Sequence, residues 1–159
     1  MRRVLACLLL APGLAACPGR PADARTAPVE RAAEVPVPDA QLKVELVARP
    51  LPGGDDRGGA VTARGGSGTV RVAGALSTPT PCYALSGLVR QDGEVVTLTV
   101  EARATEGMCV QSIGAFAYDA TLRGLSAGSY TLRVIHTYPG TGWETRPALD
   151  TTVSVGRPG

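Results

Sequence analysis

Alternation of apolar and polar residues runs through most of the chain after residue 41. In EVVTLTVEAR, residues 94–103, the side chains of Val96, Leu98, Val100 and Ala102 share one face, and polar residues occupy the other. Because side chains of a β-strand alternate between two faces, each such segment is predicted to be a strand with one buried face. The same period recurs in QLKVELVAR (41–49), TVRVAGAL (69–76), CYALSGLVRQ (82–91), GAFAYDATL (114–122), SYTLRVIHTY (129–138) and ALDTTVSV (148–155).

Turn signals separate these segments, and no segment shows a convincing helical period. Asp92-Gly93 predicts a tight hairpin, and a glycine-rich break occupies residues 50–68. About seven short strands within about 115 residues are typical of an all-β, antiparallel sandwich. With one Trp and one Phe in the chain, its modest core is expected to be mainly Val, Leu and Ala.

The first forty residues follow a different pattern. Met1-Arg2-Arg3 precedes the apolar run VLACLLLAPGLA, which is the order of a secretory signal. This run is shorter than the about 20 residues that a membrane-spanning helix needs. The end of this run and the two residues after it resemble the lipobox of bacterial lipoproteins, which consists of an aliphatic residue, two small residues and a cysteine. The four residues are Leu14, Ala15, Ala16 and Cys17.

The lipobox resemblance implies a lipid anchor. In such proteins the cysteine thiol takes up diacylglycerol, a peptidase cleaves before it, and the new amine is usually acylated. Residues 1–16 are thus expected to be a signal peptide, with lipidated Cys17 as the first mature residue and no other cofactor. An ordinary signal peptide cleaved after Ala16 is the alternative. Cys7 in VLAC lies too close to Arg3 to be the cleavage site.

Residues 17–40 are predicted to be a tether. Prolines interrupt the segment repeatedly, and no apolar period survives in it. Such a segment buries too little apolar surface to offset its ordering entropy. As a coil it spans roughly 25 to 30 Å, and in polyproline form about 70 Å. The alternative is that part of it packs as an edge strand on the sandwich, which is expected to comprise residues 41–159.

Removal of the signal peptide changes the net charge. The whole chain has 16 Lys and Arg against 14 Asp and Glu. Residues 1–16 contain Arg2 and Arg3 and no acidic residue, so 14 basic residues remain against 14 acidic ones. A neutral chain without a run of basic and aromatic residues gives no indication of nucleic-acid binding.

The segment LSAGSYTLRV, residues 125–134, resembles a known corner of β-sandwiches. Leu125, Gly128 and Tyr130, followed by Leu132 and Val134, are similar to the E-to-F corner of immunoglobulin-like domains. That resemblance implies a Tyr130 hydroxyl bonded to nearby backbone. The same residues also resemble the closing strands of transthyretin-like and carboxypeptidase-regulatory-like modules, so the choice between immunoglobulin-like and transthyretin-like sandwiches stays open.

Cys82 and Cys109 are the cysteines left after residue 17. An exported chain matures in an oxidising compartment, and the intervening hairpin can fold back to bring the two thiols together. A disulfide is therefore predicted. Their wide separation and the lack of a CxxC spacing argue against a redox-active or metal-binding pair.

No pattern in the chain indicates catalysis or a metal site. His136, the single histidine, follows the inward phase of its strand and is interpreted as a structural residue near the strand end. GGSGT at 65–69 lacks the last glycine of a nucleophile elbow. Asp55-Asp56 lacks the alternating spacing of a calcium loop. We expect neither catalytic nor metal-binding residues.

The segment YPGTGWET, residues 138–145, is the candidate partner-binding loop. It contains Tyr138 and Trp143, and such rings are enriched at binding hot spots. Trp143 filling the end of a core that is poor in large side chains is an equally good interpretation.

Together these patterns predict a membrane-anchored, non-catalytic envelope lipoprotein with an immunoglobulin-like binding or structural module. Its expected partners are the membrane, through the anchor, and a protein. Pro18, not Asp, follows Cys17, and by resemblance to the sorting rule of two-membrane bacteria this favours the outer membrane, facing the periplasm. The alternatives are an accessory or inhibitor subunit of an envelope complex or exported enzyme, and a small hydrolase or redox enzyme.

Overall fold

The structure, a computed structural model, describes residues 42–52 and 59–158. In this part of the chain the regular elements are strands, and no helix is long and apolar enough to span a membrane. The strands are β1 (Lys43–Pro50), β2 (Thr62–Gly65), β3 (Thr69–Thr78), β4 (Tyr83–Asp92), β5 (Val95–Ala104), β6 (Gly114–Arg123), β7 (Gly128–Thr137) and β8 (Arg146–Val155).

Two four-stranded sheets form a β-sandwich. The first sheet has the order β1-β6-β3-β2 and the second the order β4-β5-β7-β8. The predicted sandwich is confirmed, with eight strands in the described residues where about seven were expected. The additional strand is β2, which lies in the glycine-rich break and is only four residues long. A strand of that length is too short for its alternation to be recognised.

One strand pairing differs from the predicted antiparallel arrangement. β5 and β7 are parallel, with Val95 opposite Thr131 and Glu101 opposite Thr137. After β5 the chain crosses to the first sheet as β6 and returns as β7, so β7 runs in the same direction as β5. The strand order of the first sheet also differs from the first-second-fifth-fourth order of the immunoglobulin sandwich.

The core between the sheets is mainly aliphatic, as the composition predicts. The inward residues of β5 and β7 are buried, and so are the alternating residues of β3 and β6 in the other sheet. Burial of these apolar side chains is the main favourable contribution to folding. The fully buried members are Leu76, Leu98, Val100, Ala102, Leu122, Leu132 and Val134.

The predicted hairpin joins β4 to β5. Asp92 pairs with Val95, so the two-residue turn consists of Gly93 and Glu94. Gly93 has a φ of 57°, a value that two-residue hairpins require and that glycine adopts without strain.

Tyr130 lies near the β6–β7 connection, where the chain crosses from one sheet to the other. Its ring is buried, and its hydroxyl donates a hydrogen bond to the carbonyl oxygen of Ser126 at 3.0 Å. This is the bond that the corner resemblance implied. It braces the crossing from β6 in one sheet to β7 in the other.

The strand directions define two ends of the sandwich. At one, the disulfide end, β1, β3, β5 and β7 finish and β4, β6 and β8 begin. At the other, the arginine end, β1 and β3 begin, β6 finishes at Arg123, and the turn 65–69 joins β2 to β3. β1 therefore starts at the arginine end.

Candidate partner-binding end of the sandwich

Three inter-strand connections that the structure describes in full lie at the disulfide end. These are residues 79–82 between β3 and β4, residues 105–113 between β5 and β6, and residues 138–145 between β7 and β8. The parallel pairing of Glu101 with Thr137 shows that the last two connections start at the same end of the second sheet. The pairing of Thr78 with Gly114 places the first connection beside the second.

A disulfide between Cys82 and Cys109 joins two of these connections, as the sequence predicts. The Cα atoms are 5.9 Å apart, which is within the ordinary range for this bond. The backbone N–H of Thr105 also donates to the carbonyl oxygen of Cys82 at 2.9 Å. The β5–β6 connection is therefore fixed to the start of β4 both covalently and by a hydrogen bond.

The β5–β6 connection presents apolar side chains to solvent. Met108 is fully exposed, and Val110 and Ile113 are each more than half exposed. These residues were not among the predicted sites, although GMCVQSIG, residues 107–114, is apolar around Cys109 without the alternation of a strand. Clustered apolar side chains on an exposed loop point to a binding surface.

The two aromatic residues of the β7–β8 connection differ in burial, although the sequence suggested them as one site. Tyr138 is buried, with 4 % of its surface exposed, whereas Trp143 is 37 % exposed. Their rings meet edge to face, with centroids 5.4 Å apart. Tyr138 therefore belongs to the core, and Trp143 lies against it at the surface. The exposed part of Trp143 fits a role in binding. Its contact with the Tyr138 ring fits the alternative role, in which it closes that end of the core.

Hydrogen bonds hold the β7–β8 connection in shape. The backbone N–H and the hydroxyl of Thr141 both donate to the carbonyl oxygen of Tyr138, at 3.3 and 2.8 Å. The backbone N–H of Trp143 donates to the Thr141 hydroxyl oxygen at 3.0 Å. Trp143 is thus presented by an ordered turn, and less entropy is lost when such a residue is bound.

A buried polar pair lies in the core. The hydroxyl of Tyr118 is 2.8 Å from Nε2 of His136, and the two rings meet edge to face. His136 is only 2 % exposed, so the structure places it in the core. Burial raises the pKa of the Tyr118 phenol above its ordinary value, and Tyr138 raises it further. Gly74 leaves room for this phenol, since a Cβ there would lie 2.6 Å from its oxygen.

The three described connections at the disulfide end have few charged residues. They contain only Glu106 and Glu144, and Arg146 follows at the start of β8. Beside Ile113, an open depression of about 310 Å³ is lined largely by apolar residues, among them Leu51 and Phe116. Among the described residues no three His, Cys, Asp or Glu side chains are grouped so that they could hold a metal ion.

The remaining predicted sites lie outside the described residues. These are the cleavage-site and lipidation residues Leu14, Ala15, Ala16 and Cys17, the tether 17–40, and Asp55-Asp56. The signal peptide and the lipid anchor therefore stay predictions.

The fold defines the class of protein as an all-β sandwich, and one family comparison agrees with it. Residues 70–142 match the model of a family described as the ORF11 beta-sandwich domain. The matched residues run from β3 through β7 into the β7–β8 connection, which is slightly less than half of the chain. No curated protein and no solved structure matches the chain.

Proposed function

We propose that the protein is a lipid-anchored, non-catalytic lipoprotein of the cell envelope whose disulfide end binds a protein partner. The observation that supports the proposal most is that the apolar side chains of Met108, Val110, Ile113 and Trp143 are exposed at the same end of the sandwich. Loops held at the end of a rigid sandwich are a common location for binding residues.

The direction of β1 supports an outward-facing disulfide end. β1 begins at the arginine end, so a chain that comes from a lipid on Cys17 enters the sandwich at the end opposite to Met108 and Trp143. This direction favours a disulfide end that points away from the anchoring membrane. In a two-membrane host the proposed location is the outer membrane, facing the periplasm.

The low charge of these three connections favours a protein partner over a lipid surface. Loops that bind anionic membranes usually have Lys or Arg residues around their apolar side chains. Here the connections hold two glutamates, and Arg146 is the nearest basic residue in the chain to Trp143. A partner with an apolar pocket fits this surface, since Trp and Met are enriched at the centres of protein interfaces.

Replacing Cys17 with alanine tests the anchor. We expect the variant to leave the membrane fraction, because the lipids that hold the chain are attached to that thiol. The measurement is fractionation of expressing cells, together with the intact mass of the exported product. A matched control is Cys7→Ala, which should stay in the membrane fraction. Membrane retention of the Cys17→Ala protein would contradict the anchor.

Replacing Met108 and Ile113 with serine tests the binding surface. We expect the crosslinked complex recovered with the lipidated protein from membranes to decrease at least tenfold, because both side chains are exposed and a lost hot-spot contact costs about 1 kcal/mol or more. The measurement is photo-crosslinking followed by mass spectrometry of the adduct.

The matched control replaces Val47 and Leu88 with serine. Both of these residues are more than half exposed, like Ile113, but they lie within β1 and β4, away from the disulfide end. The control should keep the adduct. If both double variants keep it, the partner binds elsewhere; if both lose it equally, the contact is general apolar adhesion.

A further inference from the structure

Two arginines lie side by side at the arginine end. Arg64 of β2 and Arg71 of β3 are directly opposite each other in the antiparallel pairing. Their neighbours Ala63 and Val72 point towards the core, so both arginine side chains point outwards, and both are exposed. Directly opposite residues of such a pair have Cβ atoms about 5 Å apart. The two guanidinium groups therefore reach the same region of the surface.

No acidic side chain neutralises this pair among the described residues. The other arginines on the outer face of the first sheet are paired with acids: Arg49 with Asp119 at 2.7 Å, and Arg123 with Glu45 at 3.3 Å. Neither Arg64 nor Arg71 has a salt bridge or a side-chain hydrogen bond in the described part of the chain. Like charges directly opposite each other destabilise a sheet. A bound anion would remove that cost.

An open depression of about 540 Å³ lies between the two arginines and the turn that connects their strands. Its wall includes hydroxyl groups as well as cations. A Cβ at Gly66 would lie 3.0 Å from the Thr69 hydroxyl oxygen, so that hydroxyl sits close against the turn backbone. Residues lining the depression are Arg64, Gly65, Gly66, Ser67, Thr69 and Arg71.

A second depression adjoins the first and adds another cation. It has a volume of about 550 Å³, shares Ser67 with the first, and includes Arg157 in its wall. Lys43 lies opposite Arg123 at the start of β1, at the same end. The sequence shows no basic patch, because no basic residue lies between Arg64 and Arg71, and because Lys43 and Arg157 are far from them in the chain. The strand register brings Arg64 and Arg71 together.

We propose that Arg64, Arg71 and the turn 65–69 form a binding site for a phosphate group. A guanidinium donates two parallel N–H bonds to phosphate oxygens, and two such groups neutralise a doubly charged ligand. The Ser67 and Thr69 hydroxyls donate further hydrogen bonds. The phosphate belongs either to a lipid headgroup or to a soluble phosphate compound, because both present the same oxygens. The proposal is independent of the lipid anchor and of the disulfide end.

The test uses the full chain with Cys17→Ala, so that vesicle binding does not depend on an attached lipid. The probes are inorganic phosphate, measured by calorimetry, and sedimenting vesicles of phosphatidylcholine with or without phosphatidylglycerol. The double variant Arg64→Gln, Arg71→Gln is expected to have an at least tenfold lower affinity for the probe that the parent binds. Arg90→Gln with Arg146→Gln removes the same charge from exposed positions of the second sheet. Its affinity for the same probe should stay within about twofold of the parent's affinity.

A second variant keeps the charge. Arg64→Lys with Arg71→Lys should bind phosphate several-fold more weakly, because an ammonium group lacks the planar pair of donors. Vesicle binding that phosphate displaces assigns the lipid headgroup, and phosphate binding without vesicle binding assigns a soluble ligand. Two results overturn the proposal: binding of neither probe, or equal losses in the two glutamine variants, which would show a general charge effect.

Discussion

Replacing both Cys82 and Cys109 with serine is expected to lower the free energy of unfolding by about 3.5 kcal/mol. The bond closes a segment of 27 residues that contains the whole β4–β5 hairpin. Without it, the unfolded chain gains the entropy of that open loop. The melting temperature should fall by about 10–15 °C for a domain of this size. Thermal unfolding followed by circular dichroism measures the change.

Chemical reduction is the matched control for this prediction. The unaltered protein in excess dithiothreitol should melt close to the double serine variant, since both lack the same covalent bond. The variant itself should be indifferent to the reductant. A shift below about 3 °C in both cases would show that the hydrogen bond from Thr105 to Cys82 and the strand pairing hold the loop without the disulfide. Because Met108 and Val110 flank Cys109, the serine variant should also yield less of the crosslinked partner adduct.

The second large effect is expected from the buried pair Tyr118 and His136. Replacing His136 with alanine should destabilise the fold by about 3–5 kcal/mol, since it opens a cavity and leaves the Tyr118 hydroxyl without its described partner. Tyr118→Phe should cost about 1–3 kcal/mol, because it removes one partner of a buried hydrogen bond. Urea unfolding of the two single variants and the double variant gives the coupling energy, which we expect to be about 0.5–3 kcal/mol.

The pH dependence of Tyr118→Phe provides a separate check. The pKa of Tyr118 is raised in the folded state, so its contribution to stability is present below the ordinary tyrosine value of about 10 and decreases as the pH rises above it. The stability difference between the parent and Tyr118→Phe should therefore shrink above about pH 10. A constant difference from pH 7 to 11 would contradict the raised pKa. A folded, fully stable His136→Ala protein would contradict the structural role of His136.

The faces of the long strands could be predicted from the sequence. Val96, Leu98, Val100 and Ala102 alternate with polar residues in β5, and each is buried as the alternation requires. The long strands have this property because one face of each packs on the core. β2 could not be predicted, since its four residues contain a single inward position before the turn, Ala63. Its existence depends on pairing with β3, in which the partner residues are five to eleven positions further along the chain.

The candidate sites were only partly visible in the sequence. The cysteine pair could be predicted, because export leaves two thiols in one domain. Tyr138 and Trp143 were identified together, but burial separates them, with Tyr138 in the core and Trp143 at the surface. The apolar residues near Cys109 and the pairing of Arg64 with Arg71 were missed. Each depends on where a loop or a strand lies relative to another, which short-range patterns do not encode.

What the sequence by itself determined is local: which residues form strands, which face of each is buried, where the β4–β5 hairpin turns, and which thiols are available to pair. These properties follow from the alternation of apolar and polar residues along the chain and from the chemistry of single residues. Tertiary structure alone decided the parallel β5–β7 pairing, the bond between Tyr118 and His136, and the two different ends of the sandwich. These features join residues that are distant in the chain, and only the packing of the two sheets against each other brings them together.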